Sequence, residues 1–145
     1  MKRGFACPIL IILSDQFFKF LILNKFQPGQ SIPVIKPVFY LTLVFNKGGA
    51  FGLLAWAGWL FILVSAAAII YIAGFLLKSN ARYNIKIASA CIMSGAVSNL
   101  IDRLRFGYVV DFFDFRVWPV FNIADSAITI GVLYLCIRYF LKSGR

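Results

Sequence analysis

Residues 95–126, GAVSNLIDRLRFGYVVDFFDFRVWPVFNIADS, decide how this chain is read. They hold four of its five acidic side chains, Asp102, Asp111, Asp114 and Asp125; the fifth is Asp15, and there is no Glu and no His. In a chain that is 61% hydrophobic, ionisable groups facing lipid are costly, so a cluster of them marks a candidate site. Gly95, Ser98, Asn99 and Asp102 fall at helical spacing and form a small, polar stripe of the kind that lets a neighbouring backbone approach closely in lipid. Asn122, shortly after Pro119, is placed to cap a further helix whose face carries Asp125, Ser126 and Thr129.

Composition sets the class. The chain has 145 residues, a mean hydropathy of +0.87 and 17% aromatics, which excludes an ordinary soluble domain. Fifteen Lys and Arg against five Asp give a formal charge of +10. No stretch is both basic and polar enough to sit in a nucleic-acid groove, so basic ends on a multi-pass membrane protein account for the excess. Cys7, Cys91 and Cys136 lie in apolar segments with neither metal-knuckle nor Cys-x-x-Cys spacing and read as small core residues. With no His and cysteines so placed, zinc hydrolysis and Ser-His or Cys-His catalysis are disfavoured.

The rest of the chain supplies the other spans. Residues 5–24 form an apolar run interrupted by Asp15, Gln16 and Lys19. Asp15 and Lys19 share one helical face and can neutralise each other, so the run reads as a retained first span and not as a cleaved leader. Residues 26–55 change character: Pro28, Gly29, Pro33 and Pro37 break helices, the 38–45 run favours a strand, and Asn46-Lys47-Gly48-Gly49 supplies turn chemistry. A small β element on the membrane surface is expected there. Residues 56–77 carry no charge and reach about 33 Å as a helix, with Trp56 and Trp59 at the aromatic belt. Residues 78–86, KSNARYNIK, read as a polar loop, followed by spans over 87–105 and 122–141. The expected fold is mainly α: one integral membrane domain over 1–145, with four transmembrane helices and an extracytoplasmic β element between the first two. Eight of the fifteen cations, Lys2, Arg3, Lys78, Arg82, Lys86, Arg138, Lys142 and Arg145, gather at one set of ends, so both termini are expected in the cytoplasm.

Two carboxylates can hydrolyse an amide if they share one proton, because like charges a few ångströms apart do not both ionise. Asp111, in the link after the third span, and Asp125, one turn into the fourth, can fold back to face each other over a water. Each Asp also has an ordinary structural explanation: Asp125 complements a helix N-terminus, Asp102 adjoins Arg103, and Asp114 lies near Arg116 and reads as solvated. Asp15, about 15 Å into its helix, reads as too deep for a surface site.

The whole pattern is more specific than its parts. Asp15-Gln16 with Lys19, Asn46-Lys47-Gly48-Gly49-Ala50-Phe51, Gly95 with Asn99-Leu100-Ile101-Asp102-Arg103, Val109-Val110-Asp111-Phe112 and Phe121-Asn122-Ile123-Ala124-Asp125-Ser126 follow in one order on four hydrophobic spans. Over essentially its full length the chain resembles bacterial lipoprotein signal peptidase, also called signal peptidase II. The resemblance implies an aspartic endopeptidase of the bacterial cytoplasmic membrane. Its substrates would be prolipoproteins, cut N-terminal to a diacylglyceryl-modified cysteine. By the same resemblance Asp111 and Asp125 are catalytic. Asn46, Asn99, Arg103 and Asn122 surround the dyad or position substrate, and Asp15, Lys19, Gly48 and Asp102 give structural support. No metal or organic cofactor is implied; membrane lipids are partners, nucleic acid is not, and a monomer is expected. Ser98 departs from the Gly usual in the family, and the 111–122 link is shorter than is typical. A small transporter using Asp15, Lys19 and Asp102 as a polar path is the rival reading, but no inverted repeat is visible and the carboxylates gather towards one surface. A non-enzymatic scaffold does not call for them.

Overall fold

The computed structural model describes residues 6–48 and 58–143. The basic start at residues 1–4, the Gly49-Ala50-Phe51 part of the second motif, the end of the expected β element and Trp56 lie outside the described residues. Four helices, α1 Ala6–Lys25, α2 Gly58–Lys78, α3 Tyr83–Phe106 and α4 Ile123–Ser143, are each long and apolar enough to cross a membrane. Hydropathy and burial divide their roles. The span in α2 is the most apolar and buries none of its residues, so it presents its surface to lipid. In α3 the expected stripe is inside: Ala88, Ser89, Gly95, Ser98, Asn99 and Asp102 are buried, and this helix packs against each of the other three.

Small residues set the closest of these contacts. A Cβ on Gly95 would lie 2.4 Å from the Ala124 carbonyl oxygen, and one on Gly131 would lie 2.6 Å from Ile92 Cγ1. Glycine at both places lets α3 and α4 approach backbone to backbone, as helices in lipid commonly do. The third helix begins at Tyr83, earlier than the sequence suggested. Its first turn is polar and half-solvated, and composition does not distinguish such a turn from a loop. It ends at Gly107 (φ 77°), whose N–H bonds the Arg103 carbonyl at 3.0 Å, a left-handed cap that favours glycine.

That cap turns the chain into a strand that sequence reading treats as a mere link. β1 Ser31–Ile35, β2 Phe39–Asn46 and β3 Val109–Asp114 form an antiparallel sheet in the order β1-β2-β3. Pairing Val44 with Asp111 and Asn46 with Val109 brings the second and fourth motifs side by side. Leu43, Val110 and Phe112 join Ile22 of α1 in a buried apolar cluster, which seats the sheet on the end of the bundle where α1 and α3 finish and α4 starts. The cysteines are not core residues as expected: Cys7 and Cys136 are exposed and Cys91 is half-buried, consistent with thiols behaving as small apolar groups at a lipid-facing surface.

Candidate active site

All five carboxylates can be followed to their partners. Lys19, buried on α1, places its ammonium 2.7 Å from Asp15 Oδ2 and 2.8 Å from Asp102 Oδ2. Asp114 is paired with Arg116 at 3.5 Å. Asp111 and Asp125 have no cationic side chain within 4 Å among the described residues. These two are instead joined through Asn122, whose Nδ2 donates to Asp111 Oδ1 at 2.7 Å and whose backbone N–H faces Asp125 Oδ2 at 3.4 Å.

Three asparagine amides surround the pair, and each is oriented by a donor on its oxygen side. Asn46 Oδ1 accepts the Gly48 N–H at 3.1 Å, which turns its Nδ2 to Asp111 Oδ2 at 2.9 Å. Asn99 Oδ1 accepts from Lys19 Nζ at 3.0 Å, which turns its Nδ2 to Asp125 Oδ1 at 2.8 Å. Asn122 Oδ1 accepts the Asp125 N–H at 2.8 Å, so its own amino group points at Asp111 and at Asn99 Oδ1, the latter 3.1 Å away. The reciprocal Asn122–Asp125 bonds are a capping box, which fixes the first turn of α4. The dull explanation of Asp125 therefore holds together with its place in the cluster.

The two carboxylates sit in different electrostatic settings. Burial, and then the neighbouring Asp125 charge, push the Asp111 carboxyl up to about 7, against the lowering effect of hydrogen bonds from Asn46 and Asn122. A carboxyl of that kind can hold a proton near neutrality and release it during a reaction. Asp125, in the first turn of α4, lies at the positive end of a helix dipole, which favours an anion there.

The structure corrects three readings of the other residues. Asp15 is not remote from the cluster: its Oδ1 accepts the Ala124 N–H at 2.9 Å, holding the backbone beside Asp125 from a different helix. Asp114 is not solvated but buried, accepting the Thr42 hydroxyl at 2.6 Å and the Arg116 N–H at 2.8 Å. Asp102 pairs with Lys19 and not with adjacent Arg103; it also accepts the Val110 N–H at 3.0 Å, tying α3 to β3. Arg103 donates to the Asn99 carbonyl at 3.5 Å and lies 5.3 Å from the Phe61 ring centre on α2. Gln16 and Ser98 belong to the buried network although neither stands out by residue type. Gln16 Nε2 reaches Ser98 Oγ at 3.0 Å and Asp102 Oδ1 at 2.9 Å, and Ser98 donates to Asp15 Oδ2 at 2.7 Å. The available signal is the position of Gln16, beside Asp15 and three residues before Lys19.

A family profile described as "Signal peptidase (SPase) II" matches residues 7–141. A lipoprotein signal peptidase of Halothermothrix orenii is 45% identical over 131 residues, spanning 88% of this chain and 90% of that protein. One of Moorella thermoacetica is 47% identical over 137 residues, spanning 94% and 91%. A solved structure described as a bacterial membrane enzyme superposes with a TM-score of 0.92 at 30% identity, covering 99% of this chain and 90% of that one.

Proposed function

Because the chain belongs to the signal peptidase II family, and so is a protease, we propose that it is an aspartic endopeptidase that releases the signal peptide of diacylglyceryl-modified prolipoproteins. Cleavage falls N-terminal to the lipidated cysteine. One observation carries the aspartic reading: of five aspartates, only Asp111 and Asp125 lack a cationic partner among the described residues, and Asn122 joins those two.

In this mechanism Asp125 is the carboxylate and Asp111 carries the shared proton. A water held between them loses a proton to Asp125 as its oxygen attacks the scissile carbonyl carbon. Asp111 delivers its proton to the carbonyl oxygen, giving a neutral gem-diol. Collapse breaks the C–N bond, with the proton on Asp125 passing to the departing nitrogen and the gem-diol returning a proton to Asp111. Asn46, Asn99 and Asn122 hold both carboxyls in register, and Gly48 and Lys19 orient two of those amides. Arg103, half-buried beside the cluster on α3, is assigned to positioning substrate. Asp15 and Asp102 hold the α1–α3–α4 junction.

The site belongs at the extracytoplasmic boundary of the bacterial cytoplasmic membrane, with both termini in the cytoplasm and the single domain acting as a monomer. Acyl chains of the substrate stay in the bilayer while the peptide reaches the dyad. The test is cleavage of a diacylglyceryl-modified precursor by purified protein in the presence of a chelator. Full activity of a folded Asp125→Asn variant would overturn the proposal, as would chelator-sensitive cleavage.

A further inference from the structure

Beyond the dyad, the least explained surface is the tip joining β3 to α4. Val117 is 91% exposed and Trp118 68%, although both follow a tightly held residue. Arg116 has φ 65°, a left-handed conformation that is costly for a residue with a side chain and persists only where its surroundings over-determine it. Here they do. The Val117 N–H bonds the Phe115 carbonyl at 2.7 Å across Arg116, and the Arg116 N–H bonds Asp114 Oδ1 at 2.8 Å. The guanidinium lies 3.7 Å from the Tyr40 ring centre and donates to Ser31 Oγ at 2.7 Å. A turn fixed by three elements thus presents two apolar side chains that are largely exposed among the described residues.

Depth says what covers them. Phe112 of the same strand stacks on Phe18 of α1, ring centres 6.3 Å apart. Phe18 precedes the end of α1 at Lys25 by seven residues, about 10 Å along the axis. The strand therefore packs against the last two turns of a membrane-spanning helix. The apolar surface continues from the tip: Phe115 stacks on Phe39 at 4.9 Å, Phe39 pairs with Ile35, and Ile35 and Val38 are exposed beside exposed Lys36. A tryptophan and aliphatic side chains flanked by Lys36 and Arg116 match the chemistry of a phospholipid headgroup boundary.

We infer that the 115–119 tip, with Ile35 and Val38, is an interfacial anchor seated in the leaflet beside the dyad. Its effect reaches the cluster through backbone: Phe113 and Phe121 exchange N–H···O bonds of 2.7 and 3.1 Å across the base of the tip, between Asp111 and Asn122. Seating the tip holds both residues at one depth. The anchor rests on the membrane-spanning fold and not on the peptidase mechanism, so the two can fail separately.

The test uses the full chain with Trp56→Phe and Trp59→Phe, leaving Trp118 as the only tryptophan, in vesicles of phosphatidylcholine and phosphatidylglycerol. Lipid brominated on the upper acyl chain should quench Trp118 several-fold more than lipid brominated at the chain end, and aqueous acrylamide should quench it weakly. Adding Val117→Asp should abolish the lipid quenching with an unchanged circular dichroism spectrum; should that variant misfold, the parent protein decides alone. Strong acrylamide quenching without lipid quenching overturns the anchor in favour of a tip in water. Protection that depends on added precursor, or on contact with a labelled second copy, overturns it in favour of a peptide or subunit contact.

Discussion

Two groups of carboxylates lie within one bundle end, and they differ in their counter-charges. Asp15 and Asp102 share the ammonium of Lys19, with Gln16, Ser98 and two backbone N–H groups taking up other lone pairs. Asp111 and Asp125 meet only amides. A buried carboxylate given a cation and a full set of donors is held in place by them. One held by neutral donors beside a second carboxylate keeps a proton within reach. In the proposed mechanism the same residue type thus serves as scaffold where it meets an ammonium group directly and as proton carrier where it does not.

The sharpest way to break this comparison is to remove the dyad while keeping its shape. Asp111→Asn and Asp125→Asn should each lower the cleavage rate by about 10²–10⁴-fold or more, measured on protein whose melting in detergent matches the parent. Next comes the scaffold. Lys19→Met leaves Asp15 and Asp102 buried without their cation and should cost about 3–5 kcal/mol, read as a lower melting temperature. Adding Asp15→Asn and Asp102→Asn to it should recover much of that loss; no recovery would mean that packing, not charge, is at stake.

A smaller effect separates the two ends of the α3–α4 contact. Gly95→Ala and Gly131→Ala should each destabilise by about 1–3 kcal/mol through overpacking. At a permissive temperature only Gly95→Ala should also slow cleavage, because its Cβ would press on the Ala124 carbonyl beside Asp125. The smallest effect is on pH dependence. Cleavage should fall as pH rises through about 7, where Asp111 loses its proton. The hydrogen bond from Asn46 lowers that value, so Asn46→Ala should move the alkaline limb upward. The sign for stability follows from the same carboxyl. Its folded value lies above its ordinary one, so this group favours folding most at low pH. Its contribution, read as the difference in stability between the parent and Asp111→Asn, should decline on the order of 1–4 kcal/mol as pH rises from about 4 to about 7.

Four spans, the stripe on α3 and the capping role of Asn122 are legible in the sequence because each depends on local spacing. The cross-helix partners are not. Nothing local tells that Lys19 bonds Asp102 as well as Asp15, or that Asp15 takes the Ala124 N–H, since those contacts depend on how helices rotate against one another. For the same reason Asp114 reads as solvated near Arg116 but is buried against Thr42. Val109–Asp114 reads as a link because its partner strand lies more than sixty residues away. The aspartate motifs are visible as a pattern, whereas the donors that orient Asn46 and Asn99 emerge only in three dimensions.

The proton assigned to Asp111 is the feature most directly open to measurement. Infrared difference spectra across a pH titration should show a protonated carboxyl band in the mildly acidic range that fades through about 7 and is missing in Asp111→Asn. A band that survives in that variant, or none at all above the ordinary carboxylate range, would contradict it.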